Sequence, residues 1–421
     1  MLVLKNIAQV ITLQGPPPPR CGDAMEQLGI IENGAIVIRA ERIEWVGPTR
    51  DLPDRKPDGQ LEIVDGLGLK LLALPGFVDS HTHPVFAGTR ANEYDLRARG
   101  KSYQEIAQAG GGIRASVRQL RTATLNQLAD RAERHFRQFL SHGTTTIEAK
   151  SGYGLSLEDE MKSLEALALL KTRSRLEVVP TFLGAHAVPE EHESTRGDYV
   201  RLLVEEMIPR VAREGLAQFC DVFCDAGYFT VEESRTILLA ARQAGLGLRI
   251  HAEELARTGG ARLAAELGAA SADHLEWIQQ GDIKALKKAG TVATLLPGTA
   301  FNLGLKRYAP ARKLIAAGVP VALATDFNPG SCFTLNMQII LSIACSQMKM
   351  TPAEAITAAT VNGAHSLGIS DRLGTIEEGK QADIVLMDVA DYRELPYFFG
   401  VNHCVLTVKK GNVVINRLEM V

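Results

Sequence analysis

A (β/α)8 barrel of the TIM type, with a small β-sandwich domain built from both termini, is the fold this α/β sequence predicts. Three observations lead there. Between Leu74 and Pro329 one phrase recurs: a short apolar run rich in Val, Ile, Leu and Thr, a polar loop, then an amphipathic helical pattern. Eight such runs occur, ending near His81, Lys150, His186, Asp225, His251, His274, Pro297 and Asp326. Polar residues capable of chemistry stand at those ends, where a closed parallel barrel places its catalytic groups. Strands alternating with helices imply parallel pairing through crossovers. An open doubly wound sheet is the alternative, yet no glycine-rich phosphate fingerprint follows the first run. The run Gly110-Gly111-Gly112 lies in a later loop and reads as a tight backbone turn.

The helical segments include 125–140, 157–170 and 231–244. Ser156 and Thr230 stand as N-caps with acids in the following turn, and Thr351-Pro352-Ala353-Glu354 has the form of a capping box. Outside the barrel the pattern shortens to strands at 35–39, 43–46, 384–387, 405–408 and 413–415, with Lys410-Gly411-Asn412 turning the last hairpin. Neither terminal set makes a comfortable sheet alone. Residues 1–73 and 369–421 are therefore expected to combine into the small β domain around a barrel with following helices at 74–368. Gly15-Pro16-Pro17-Pro18-Pro19-Arg20 reads as a stiff loop within its first part.

The chain has 421 residues, 46% of them hydrophobic, and a net charge of -3. Acids and bases are interspersed, which argues against nucleic acid or an anionic membrane and for a small-molecule partner. The N-terminus lacks signal-peptide features and no apolar run is long enough to span a bilayer, so a cytoplasmic protein is expected. The six cysteines are scattered, as expected of reduced thiols, and Cys220 and Cys224 read as a buried apolar pair rather than metal ligands.

His81-Thr82-His83 is the most informative motif. Side chains two apart in a strand share a side, so both imidazoles can reach one ion while Thr82 faces away. The fifth run ends in His251-Ala252-Glu253-Glu254 and the eighth in Asp326-Phe327-Asn328. In a closed barrel these ends share one mouth, and three imidazoles with a carboxylate suit Zn2+, or Fe2+ or Mn2+ at higher coordination number. Such an ion lowers the pKa of its water towards about 7, supplying hydroxide at neutral pH. Glu254 stands close enough to shuttle the proton, and His274 to hydrogen-bond the water or the developing oxyanion; with Asp326 they are the candidate catalytic groups.

The Pro-Gly-Phe-Val-Asp entry to His81, the later His and Asp, and the closing Ala353-Glu354-Ala355 and Ala382-Asp383-Ile384-Val385 segments resemble the metal-dependent amidohydrolase superfamily. Three further segments, Glu148 to Leu155, Gly184 to Pro189 and Asp326 to Ser331, look like the imidazolonepropionase family. The resemblance covers nearly the whole chain. It implies hydrolysis of the cyclic amide of 4-imidazolone-5-propanoate to N-formimidoyl-L-glutamate in histidine degradation, one divalent metal per subunit, and a homodimer. It also implies metal ligands at His81, His83, His251 and Asp326, and substrate contacts at Arg90, Tyr103, Tyr153, His186, Glu254, Asn328, Gly330 and Ser331. Arg90 could grip a propionate through two parallel hydrogen bonds. One departure from the family pattern is Glu253, where that pattern has Asp. Lys150 ends the second run, away from the fourth where a carboxylated lysine would bridge two metals. It is therefore expected to be uncarboxylated and to hold a loop or carboxylate in place. A purine or pyrimidine deaminase uses the same metal, Glu and His, and a non-catalytic barrel is the alternative of a different class.

Overall fold

The computed structural model describes residues 1–420 apart from 55, 57, 58, 102–104 and 107–109. Five strands precede the barrel: β1 (Leu2–Ile11), β2 (Ile30–Arg39), β3 (Arg42–Pro48), β4 (Glu62–Asp65) and β5 (Leu72–Pro75). The barrel comprises β6 (Phe77–Asp79), β7 (Thr144–Lys150), β8 (Glu177–Ala185), β9 (Phe219–Cys224), β10 (Gly247–Ala252), β11 (Ser271–His274), β12 (Val292–Leu295) and β13 (Val321–Leu323). After it come β14 (Ile384–Met387), β15 (Cys404–Lys409) and β16 (Asn412–Asn416).

Strands β6 to β13 pair in chain order, every neighbour parallel. The ring closes beyond the ends of its first and last strands. Thr82 bridges Phe327 in parallel, the His83 amide donates to the Phe327 carbonyl at 2.8 Å, and the Asp326 amide to the His81 carbonyl at 3.0 Å. The closing seam therefore runs through the His-x-His motif itself. Helices Leu125–Ser141, Leu157–Arg173 and Val231–Gln243 follow the expected segments to within a few residues. Ser156 caps one of them, and Thr124, Thr230 and Thr351 each form a capping box with the residue three on. A large apolar core fills the space between barrel and helices.

The termini combine into a second, mixed sheet in the order β16-β15-β14-β5-β1-β2-β3, with β4 also on β1. It curls around its own apolar cluster, including Leu4, Val10, Ile36, Ile384, Leu386 and Val408. Strands β1, β4 and β5 are additions to the expected set: β1 and β5 are largely buried and show little of the alternation that marks a half-exposed strand. Leu74 and Pro75, read as the start of the barrel, pair with β14, and the chain passes from one sheet to the other at Gly76. A Cβ there would lie 2.3 Å from the Thr145 side chain, so only glycine fits the crossing. Lys410 and Gly411 both take positive φ, making the tight turn between β15 and β16. All six cysteines are free thiols, with Cys220 and Cys224 buried. Among the described residues no helix is long and apolar enough to cross a membrane.

Candidate metal centre and substrate cavity

The C-terminal ends of the barrel strands converge on a cavity of about 540 Å³. His83, Tyr153, His186, His251, Glu254, His274, Asp326, Asn328 and Ser331 line it, nine of the residues expected at the site. His81 lies fully buried beneath them. Tyr103 falls outside the described residues.

At the cavity floor, ligand atoms of His81, His251 and His274 lie within 4.8 Å of one another, and so do those of His81, His83 and Asp326. The two triads share His81. His274, expected beside the metal rather than on it, thus belongs to the same donor cluster as the four expected ligands. Carboxylates behind the rings set their tautomers. Asp273 Oδ2 lies 2.7 Å from His81 Nδ1, and a carboxylate only accepts, so Nδ1 carries the proton and Nε2 presents its lone pair. That Nε2 is buried and has no hydrogen-bond partner among the described residues. Asp221 lies behind His251 as well, with Oδ2 3.0 Å from Nδ1 and Oδ1 accepting from the His251 amide at 3.2 Å. Burial, then the Lys150 ammonium and the crowding of neighbouring imidazoles, hold His81, His83 and His274 well below the usual histidine range, so these rings are neutral. An orphaned buried imidazole nitrogen among neutral imidazoles and a carboxylate is the donor set a divalent transition metal takes.

The proton-handling candidates sit beside this cluster. Glu254 Oε2 is 3.6 Å from His274 Nε2. Burial first, then Glu276, Asp326 and Asp225, raise the Glu254 carboxyl well above the ordinary range. Asp326 is pushed up to about 6, chiefly by burial, while Thr299 donates to its Oδ2. Several residues here have left-handed backbone, with φ of 59° at Glu253, 79° at His274 and 53° at Asp326. Such conformations cost energy in non-glycine residues and mark places where the chain is bent to aim a side chain. Glu253 itself points away from the metal cluster, accepting from the Gly259 amide at 2.8 Å.

Two carboxylates clasp the loops that carry the cavity walls. Asp225 accepts from the amides of Glu254, Leu255 and Ala256 at 2.7, 3.0 and 3.1 Å, which fixes the Glu254 backbone. Buried Glu160 accepts from Gly152, Gly154 and Leu155 at 3.0, 2.8 and 2.9 Å, holding the loop that bears Tyr153. The Gly152 carbonyl faces His186 Nδ1 at 2.9 Å, so this loop also orients His186 with Nε2 towards the cavity. Asn328 turns the last loop: its Oδ1 accepts from the Gly330 and Ser331 amides, both at 2.8 Å.

Arg90 is placed differently from a residue simply facing the cavity. It is buried, paired with Glu93 Oε2 through Nε at 2.9 Å and Nη2 at 2.8 Å, and packed against Gly330. A Cβ on Gly330 would lie 1.9 Å from Arg90 Nη1. Glu93 also accepts from the Gly112 amide at 3.0 Å, tying the glycine turn to this arginine. Arg97 and Lys101 do line the cavity. Neither belongs to the expected set, because nothing in their local sequence distinguishes them from surface cations.

Residues 72–414 match the amidohydrolase family. The chain is 53% identical to the imidazolonepropionase of Solibacter usitatus over 94% of each chain, and 47% identical to that of Geobacillus kaustophilus over 99% of this chain and 98% of the relative. It thus belongs to the imidazolonepropionase family of amidohydrolases. Among solved structures, a zinc-bound adenosine deaminase from Xanthomonas campestris superposes with a TM-score of 0.72 at 19% identity, covering 99% of this chain and 93% of that one. The guanine deaminase of E. coli gives 0.73 at 17%, covering 99% and 100%. At such identities these two establish the shared fold.

Proposed function

We propose that the chain hydrolyses the ring amide of 4-imidazolone-5-propanoate to N-formimidoyl-L-glutamate, a step of histidine degradation, using one divalent ion per subunit. Near-full-length identity to imidazolonepropionases carries this reading. The donor cluster described above suits the ion, with His81, His83, His251 and Asp326 as its ligands and Zn2+ or Fe2+, with Mn2+ as a further choice, as its identity. When bound, such an ion polarises a carbonyl and lowers the pKa of water to about 7.

The residues around it perform the rest. Water adds to the ring carbonyl carbon, the ring C–N bond breaks, and the nitrogen leaves with a proton. Glu254, set in the cavity wall with Oε2 3.6 Å from His274 Nε2, takes the proton from water and returns it to nitrogen. Neutral His274, 3.6 Å from Glu254, steadies the developing oxyanion. Asp326 shares the proton inventory with them. Tyr153, His186, Asn328 and Ser331 orient the ring and its side chain, while Arg90 behind Gly330 supplies positive charge for the propionate. Tyr103 is assigned to the same wall on the resemblance alone. The working protein is a cytoplasmic homodimer.

The decisive assay follows loss of imidazolone ultraviolet absorbance with native, chelated and remetallated protein. Turnover that is lost on chelation and restored by Zn2+ or Fe2+ supports the proposal. Metal-dependent release of ammonia from adenosine or guanine, with imidazolonepropanoate untouched, would replace it by a deaminase.

A further inference from the structure

Five charged side chains fill the barrel interior below the donor cluster: Glu148, Lys150, Asp221, Arg249 and Asp273, all with no exposed surface. Isolated charges cannot stay there, since burying one unpaired ion costs several kcal/mol or more. Their pairing is therefore specific. Lys150 Nζ donates to Glu148 Oε1 at 2.8 Å and to Asp221 Oδ2 at 2.7 Å. Burial alone would lower this ammonium's pKa, but Asp221 and Glu148 outweigh it and raise the pKa, so the group stays charged. Arg249 completes the set, reaching Asp273 Oδ2 at 3.3 Å and the Ser80 carbonyl at 2.8 Å.

Each carboxylate gripped by Lys150 holds a different part of the donor cluster. Glu148 Oε2 accepts from the Thr82 amide at 3.2 Å, and the Glu148 carbonyl accepts from the Thr82 hydroxyl at 2.6 Å. The Lys150 amide in turn donates to the Thr82 carbonyl at 2.9 Å. Thr82, the middle residue of His81-Thr82-His83, is thus clamped through amide, hydroxyl and carbonyl by two residues of β7. On the other side, Asp221 accepts from the His251 amide at 3.2 Å and faces His251 Nδ1 at 3.0 Å. One ammonium links the turn carrying two imidazoles to the strand carrying a third.

We propose that Lys150 is a positioning residue of the metal centre, which ties Glu148 and Asp221 together and through them sets His81, His83 and His251 at metal-binding separation. This rests on the reading that these residues hold a divalent ion. Removing the ammonium leaves two buried carboxylates without their shared cation; they move apart, and Asp221 no longer holds the His251 backbone and ring in place. Changes to groups behind metal ligands commonly weaken metal affinity about 10–100-fold.

The test measures Zn2+ affinity by competition with a chelating dye in the full chain, for the unaltered protein, Lys150→Met and Glu148→Gln. The visible spectrum of the Co2+-substituted protein is recorded alongside. Lys150→Met keeps the length of the side chain without its charge; Glu148→Gln keeps the shape but offers one accepting oxygen in place of two. We expect Zn2+ affinity to fall at least 10-fold in Lys150→Met, less in Glu148→Gln, with a changed Co2+ band pattern showing altered ligand geometry. A purely structural lysine would lower thermal stability and leave the Co2+ spectrum of the folded fraction unchanged, which would overturn the proposal. So would affinity within about twofold of the unaltered protein in either variant, and should Lys150→Met not fold, Glu148→Gln decides alone. Absence of saturable Zn2+ binding by the unaltered chain would remove the metal reading and the proposal together. Metal binding without imidazolone turnover would remove only the proposed reaction.

Discussion

Replacing Glu160 by glutamine isolates the loop that bears Tyr153 from the metal chemistry. The carboxylate accepts three backbone N–H bonds from Gly152, Gly154 and Leu155. Glutamine retains one oxygen, which can keep the Gly154 and Leu155 bonds, but turns its NH2 group towards the Gly152 amide. One bond is lost and two donors oppose each other in a buried site, a cost of about 1–3 kcal/mol. The loop relieves it by moving at Gly152, whose carbonyl orients His186 and whose neighbour is Tyr153. The donor cluster is carried by other segments and touches this loop and His186 through its rings, His83 being stacked on His186 at 5.2 Å and tilted against Tyr153 at 6.0 Å. A displacement near 1 Å of groups that position a substrate costs up to about 100-fold in rate. We therefore expect kcat/KM on imidazolonepropanoate to fall about 10–100-fold, mostly through KM, with metal content per chain unchanged. Steady-state loss of ultraviolet absorbance gives the kinetics, and elemental analysis the metal. A kcat/KM within about threefold of the unaltered protein would refute the clasp, and loss of metal in parallel with activity would show that the loop supports the donor cluster instead.

Asp225→Ala releases the three amides around Glu254, and because the proposed reaction routes its proton through Glu254 it should lower kcat about 10-fold or more with a smaller effect on KM, read from the same assay. Gly330→Ala drives a methyl into the Arg90 guanidinium, so KM should rise about 10-fold or more while Zn2+ affinity stays put; an unaltered KM would take Arg90 out of substrate binding. Glu177 sets an acid limit on stability. Burial alone would raise its carboxyl, but the Arg372 hydrogen bond and the Lys409 ammonium, 3.0 Å away, hold it down at about 2. A depressed folded pKa means the contribution is present above the unfolded value of 4.5 and lost as pH falls towards 2, worth about 3 kcal/mol at neutral pH. Glu177→Gln should therefore be less stable by that amount in urea at about pH 7, with the gap closing between about pH 5 and 2; a gap that did not change with pH would refute the assignment.

The barrel was legible because its eight units each combine a buried strand with an amphipathic helix, and because cap residues such as Ser156, Thr230 and Thr351 announce helix starts through local hydrogen bonds. The terminal sheet was legible only in part. Its hairpin at Lys410-Gly411 carries a turn signal within a few residues, whereas β1 gains its partners β4 and β5 from far along the chain. A strand buried on both faces offers apolar residues without period, and a helix segment or a loop in the core offers the same.

The site divides along a similar line. His81, His83, His251 and Asp326, the proposed ligands, could be singled out because each stands at or just beyond the end of a run, and strand ends are where barrel chemistry gathers. The groups that hold them could not be assigned to one another, since Glu148, Asp221, Arg249 and Asp273 belong to four strands and meet only when the ring closes. Yet a signal was present. Arg249 stands two residues before His251, and Glu148 two before Lys150, so each charge points to the same side as its neighbour in an apolar, doubly buried run. No solvent is available on either face of such a strand. An acid or base inside it must therefore find an opposite charge or hydrogen-bond donors from another strand: Asp79 takes the Thr325 amide and hydroxyl, and Lys150 and Arg249 are the two cations that meet Glu148, Asp221 and Asp273. Charge balance inside the barrel is thus a constraint readable before the fold is known, while the register of β7 against β8 and of β9 against β10 decides which acid each cation meets.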